Sequence, residues 1–174
     1  VTGKMLLAHP VLPPNPRPAI SDTYQLTFSA CSAGTVQLGF DISHSKNIGG
    51  NCDVSIEGNS EMLWLGEAKI YNGYGKLMGG FQQLCDRYAT GMPNQTNGAM
   101  LFYFFNGKVA SVMKSWRKYL EKSRAKLTAV DVDGNALQFR TAEPHAATEA
   151  MLNTVHMPVP LMHEPTDVLP PPKR

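Results

Sequence analysis

Two carboxylates and an amine stand out in the stretch Cys52–Tyr71: Asp53 and, after thirteen intervening residues, Glu67-Ala68-Lys69. In a strand, residues two apart share a face, so Glu67 and Lys69 point one way and Gly66 and Ala68 the other. Gly58-Asn59-Ser60 reads as a three-residue turn that pairs Glu57 with Glu61 and sets Asp53 opposite Leu65. Asp53 then lies diagonal to Glu67 on the same face, roughly 7–8 Å away at the backbone. Two carboxylates can converge on one cation across that gap. Charges beside an apolar strand need a partner or a metal, and carboxylate oxygens suit a hard ion, Mg²⁺ or Mn²⁺. A lysine next to such an ion can orient or deprotonate a water, or neutralise a phosphate oxygen. The alternative is a surface hairpin with a cross-strand ion pair, worth under ~1 kcal/mol. A Glu-x-Lys triplet alone decides nothing, since this composition supplies roughly 0.4 of them by chance. The weight rests on the strand, the shared face and the upstream acid.

The elements that must hold these residues follow from periodicity and turn chemistry. Tyr24–Ala30 and Thr35–Ile42 read as a hairpin around Ser32-Ala33-Gly34, and Cys52–Glu57 and Met62–Tyr71 as a second. Gly75–Thr90 switches to a helical period, with Leu77, Phe81, Leu84 and Tyr88 in one apolar stripe. Ala99–Phe105 is a continuous apolar run between Gly98 and Asn106-Gly107, the pattern of a strand buried on both faces. Val109–Arg124 is a second helix, with Val109, Val112, Met113, Trp116 and Leu120 inward. Its other face carries Lys114, Arg117, Lys118, Lys122 and Arg124, either a solvated surface or a contact for a nucleic-acid backbone. Leu127–Val132 and Ala136–Thr141 flank the hairpin turn Asp133-Gly134. The order ββ, ββ, α, β, α, ββ predicts a mixed α/β domain, a central mixed sheet flanked by α-helices.

Asp53 followed by Glu67-Ala68-Lys69, then a helix bearing Gln82-Gln83 and Tyr88, resembles the PD-(D/E)xK nuclease superfamily. The resemblance runs from Cys52 to Arg124, about 70 of the 174 residues. It implies a restriction-endonuclease-like fold and hydrolysis of phosphodiester bonds with Mg²⁺ or Mn²⁺ by an endo- or exonuclease, DNA being expected ahead of RNA. Asp53 and Glu67 would bind the metal with the backbone carbonyl of Ala68, and Lys69 would be the catalytic lysine. Gln83, five residues before Tyr88, or its neighbour Gln82, would match the family's helix glutamine. Cys52 stands where the family often has proline, and no glutamate precedes Glu57 to match the family's N-terminal helix acid. Beyond the motif, Tyr71 and Tyr74 flank a glycine-rich turn and could stack on a base or sugar, and Lys76 could touch a phosphate.

Composition bounds the rest. Sixteen basic against fourteen acidic residues give a net charge of +2, which excludes coating of nucleic acid by charge alone. No apolar run approaches the ~18 residues of a membrane span, and no phosphate-cradling loop or serine nucleophile elbow is present. Cys31, Cys52 and Cys85 form no CxxC pair, so a reducing, cytoplasmic setting is expected. Prolines divide the chain into an arm at 1–20, a domain at 21–155 and an irregular tail at 156–174 holding His156 and His163. The resemblance implies a homodimer or a larger assembly. The competing function is a catalytically inactive nuclease-fold module of a larger protein, such as one in defence or restriction.

Overall fold

The computed structural model describes residues 40–162. Among these residues are seven strands: β1 (Asp41–Asn47), β2 (Asn51–Glu57), β3 (Leu63–Ile70), β4 (Asn97–Phe104), β5 (Thr128–Val132), β6 (Asn135–Pro144) and β7 (Met151–Pro160). They form one mixed sheet in the order β1-β2-β3-β4-β7-β6-β5. β1, β2 and β3 are antiparallel, β3, β4 and β7 run parallel, and β7, β6 and β5 are antiparallel again. The crossover from β3 to β4 holds helix α1 (Tyr74–Gln82), continued by a π-helical turn over Gln83–Tyr88. Helix α2 (Val109–Ser123) follows β4. The mixed α/β architecture read from the sequence is the one observed. The expected strand Tyr24–Ala30 and the arm at 1–20 lie outside the described residues.

Register explains where the core sits. Met100 pairs with Glu67 on one side and His156 on the other, and Phe102 with Lys69 and Pro158, so these residues share one face of the sheet. Leu77, Phe81 and Leu84 from α1 and its π-helical extension pack on that face with Met113, Trp116 and Leu120 from α2. Both described helices therefore lie on the same side. Removing each large apolar side chain from water contributes roughly 1.5–3 kcal/mol. The side chains that do so recur every second residue in β4 and every third or fourth in the helices, the two periods of the sequence.

Two boundaries differ from expectation. β1 is a strand although Asp41–Asn47 holds a single apolar residue, Ile42; it is an edge strand whose Lys46 pairs with Glu57 of β2. More consequentially, the domain does not end at 155. β7 runs to Pro160 between β4 and β6, so residues 156–160 are sheet, not tail. Its prolines are tolerated for a reason of direction. The N–H groups of Asn153 and Leu161 donate toward β4, so odd residues of β7 face β4 and even residues face β6. The β6 ladder stops at Phe139↔His156, so the missing N–H groups of Pro158 and Pro160 fall where β6 offers no partner.

His156 is a core residue. It is fully buried and stacks on Phe139 at 4.4 Å between ring centroids. Trp116 Nε1–H donates to its Nδ1 at 3.2 Å. Indole can only donate, so the imidazole proton sits on Nε2 and is donated to Thr141 Oγ1 at 2.9 Å. Burial pushes its pKa down to about 3, and the ring is neutral.

Candidate active site in the fork between two strands

β2 and β3 pair from Glu57↔Leu63 to Val54↔Gly66 and then part. The turn between them spans five residues rather than three, so the register differs by two from the expected Glu57–Glu61 pairing. A shift of two keeps every side chain on its face. Continued one step past its last pair, the ladder sets Asp53 directly across from Glu67 rather than diagonal to it.

Backbone direction fills the fork. Tyr71 N–H donates to Tyr103 O, so odd residues of β3 face β4 and even residues face β2. Ala68 thus turns both its N–H and its carbonyl toward the gap where β2 has left. Asp53 Oδ2 accepts the Ala68 N–H at 2.8 Å. The thiol of Cys52, fully buried, lies in the same gap at 3.2 Å from Val54 O and 3.4 Å from Gly66 O. Burial pushes that thiol up to about 11, so it is neutral filling.

Glu67 is 2% exposed. One oxygen, Oε1, accepts from Lys69 Nζ. The other, Oε2, is buried with no hydrogen-bond partner among the described residues. Burial raises the Glu67 pKa to about 7, Asp53 adds to the rise, and Lys69 opposes it. A buried carboxylate oxygen left unpartnered costs about 1–3 kcal/mol or more. A cation held between Glu67 and Asp53 would remove that cost. The donor set is two carboxylates and the Ala68 carbonyl, all oxygen, which fits Mg²⁺ or Mn²⁺. Mg²⁺ commonly takes only one or two carboxylates and completes its shell with waters and substrate phosphates. No group of three His, Cys, Asp or Glu side chains capable of holding a metal occurs among the described residues.

Helix α1 and its π-helical extension wall the site. The Lys69 stem lies against Gly80, where a Cβ would stand 2.8 Å from Lys69 Cγ and 3.0 Å from Met100 Cε. Gly80 is the groove in which the lysine runs. At Gln83 the helix widens to i→i+5 bonding, shown by Ala89 N–H to Leu84 O at 2.9 Å. Such turns occur often at functional sites. Here the wider turn returns Tyr88 to the side of Gln83, five residues earlier. Tyr88 donates to Asn51 O at 3.1 Å and is buried, and the charges of Glu67 and Asp53 reinforce burial in raising its pKa. Gln83 lines a cleft of about 640 Å³ with Lys69, and Gln82, Lys76 and Arg87 line it too.

Asp53, Glu67, Ala68 and Lys69 are thus brought together, with Gln83, Gln82 and Lys76 beside them. Tyr71 and Tyr74 are not. Tyr71 packs on Phe104 at 5.2 Å, and Tyr74 stacks on Tyr119 at 5.8 Å, as part of an aromatic cluster joining α1 to α2. On α2, Arg117 and Arg124 serve structure. Arg117 bonds Glu121, Asp131 and the carbonyl of Ala129. Arg124 makes paired bonds to both Asp86 and Glu143.

Sequence reasoning passed over Ser55, Arg87 and Gly80. Ser55 pairs with Leu65, so it shares the face of Asp53 and Glu67, and its buried Oγ has no partner among the described residues. The alternation Asp53-x-Ser55-x-Glu57 carries that signal. No family model matches the chain, no curated protein matches it, and no solved structure matches it.

Proposed function

We propose that the domain is a metal-dependent nuclease, hydrolysing phosphodiester bonds with Mg²⁺ or Mn²⁺, and that DNA is its substrate. One observation carries the reading. Two acids meet across an opened strand pair, the more buried one keeps an oxygen unpartnered among the described residues, and a lysine stands on its other oxygen. The helix, strand and helix that follow add support.

Asp53, Glu67 and the Ala68 carbonyl would hold the ion, which when bound would neutralise charge on a phosphate oxygen and acidify a water. Lys69 does the rest from this chain's side. Its ammonium, steered by Glu67 Oε1 and by the Gly80 groove, borders the cleft and can neutralise a non-bridging phosphate oxygen or exchange a proton with the attacking water. The Gln83 amide can donate to the same phosphate. A homodimer or a larger assembly would supply a second site for the second strand. An intracellular setting accords with a nucleic-acid substrate and with the free, buried Cys52 and Cys85.

Cleavage of plasmid DNA, linear DNA and RNA with Mg²⁺ or Mn²⁺, by the wild type and by Glu67→Ala and Lys69→Ala, tests the reading. Equal activity in all three proteins sinks it. The second reading, an inactive nuclease-fold module, is favoured by the absence of a third metal-ligating side chain among the described residues. Titration calorimetry with Mg²⁺ and Mn²⁺ separates the two, since the inactive module binds neither ion at Asp53 and Glu67.

A further inference from the structure

The cleft beside Lys69 is built along one helical stripe. Lys76, Gly79, Gly80, Gln83 and Arg87 recur every three or four residues and all line it. Lys76 and Arg87 mark its two ends, eleven residues apart, about three helical turns. Lys69 enters beside Gly80, between them. Neither Lys76 nor Arg87 makes a salt bridge with a described residue. Asp86, the one acid among the described residues that line it, is engaged by Arg124. The free charge of the cleft is therefore positive.

Its floor is bare backbone. Gly80 is required by Lys69 and Met100, but a Cβ on Gly79 would meet nothing within 4 Å. Packing does not ask for glycine there, and glycine inside a helix costs about 1 kcal/mol relative to alanine. Bare backbone facing a cleft suits close approach by a ligand.

We propose that this cleft seats a nucleic-acid strand by its phosphodiester backbone, with Lys76 and Arg87 gripping phosphates on either side of the one presented to Lys69. Paired cations flanking a central phosphate position the strand without reading its bases. The inference rests on the nuclease reading for the chemistry of the strand, but not for any cleavage step.

The test is binding without metal. Fluorescence anisotropy of a fluorescein-labelled single-stranded DNA 20-mer, and of the RNA of the same sequence, is measured in EDTA across a salt series. The proteins are the wild type, Lys76→Ala/Arg87→Ala, Gly79→Leu and, as a control of equal charge loss, Lys114→Ala/Lys118→Ala on α2. Two lost phosphate contacts should weaken binding at least tenfold and lower the salt slope by about 1.4. Gly79→Leu should weaken it with an unchanged or higher Tm, and the control should bind as wild type. Wild type that binds neither strand, a cleft double variant that binds as wild type, or a control that loses as much each overturns the proposal. Metal-free binding lost only in the cleft variants, in a protein that cleaves nothing, upholds the cleft and sinks the nuclease. Cleavage with cleft variants binding as wild type does the reverse.

Discussion

Asp53 accepts the backbone N–H of Ala68 at 2.8 Å across the fork where β2 leaves β3. That bond replaces the ladder bond Ala68 would have made to β2, and it holds the carboxylate opposite Glu67. The geometry makes Asp53 and Glu67 interdependent, because each negative charge is felt by the other. Their substitutions have opposite expected effects on stability.

Glu67→Gln should stabilise the apo protein at pH 8 while abolishing Mg²⁺ binding. Burial holds Glu67 at about 7 against an ordinary 4.5, an interval worth up to about 3 kcal/mol at 1.36 kcal/mol per pH unit. That interval is already net of the opposing pull of Lys69. Asp53→Ala should instead destabilise by about 1–2 kcal/mol, because the Ala68 N–H loses its acceptor. Urea unfolding with and without Mg²⁺ checks both signs.

Stability against pH should show two opposed slopes. The Glu67 pKa is raised, so its contribution is present below pH 4.5 and is lost as pH rises through about 7. The His156 pKa is lowered from 6.5 to about 3, so its contribution is present above pH 6.5 and is lost as pH falls through about 3. Between pH 4.5 and 6.5 the two nearly cancel, and the wild type should be flat there. Glu67→Gln should uncover stability that climbs with pH by up to ~1.4 kcal/mol per unit. A Glu67→Gln profile as flat as the wild type contradicts this assignment.

Mg²⁺ affinity should rise about tenfold per pH unit up to pH 7 and level off above it, because the ion competes with the Glu67 proton. Calorimetry at four pH values between 5.5 and 8.5 reads this directly.

Gly79→Ala and Gly80→Ala should part company. Alanine at 79 meets open space and should stabilise the helix by about 1 kcal/mol. Alanine at 80 stands 2.8 Å from Lys69 Cγ and must push the lysine aside. A displacement near 1 Å is worth up to ~100-fold in kcat. Thermal melts and single-turnover cleavage of a labelled duplex separate the two variants.

Arg124→Ala should cost about 3–5 kcal/mol, because Glu143 is 5% exposed and loses its only cation among the described residues. Adding Glu143→Gln should recover much of the loss, which a urea titration of the double variant measures.

The acids were legible because their strands alternate cleanly. Asp53, Ser55 and Glu57 fall on one face of β2, and Leu65, Glu67 and Lys69 on the same face of β3. The turn length was not legible, since Glu61 and Met62 carry no signal that moves the first pair out to Leu63. β7 was hidden by its prolines, although Leu152, Thr154 and His156 alternate as a buried strand face should. Proline excludes a strand only where its N–H would have been needed, and that depends on where the ladder to the neighbour ends, a tertiary fact. Likewise, apart from Glu121 one turn after Arg117, nothing local distinguishes Arg117 and Arg124 from the exposed lysines beside them. Their acid partners arrive from β5, β6 and the π-helical turn.

The placement of β7 sets a schedule for synthesis. A ribosome delivers the strands in numerical order, so β1 to β4 can assemble early while β4 waits with one edge unpaired, bearing Met100, Phe102 and Phe104. β5 and β6 emerge next but reach the rest of the sheet only through β7. The nascent chain therefore carries an open, apolar strand edge, a template for aggregation, until residue 160 clears the exit tunnel. A stop codon near 150 would remove the keystone of the sheet rather than trim an appendage.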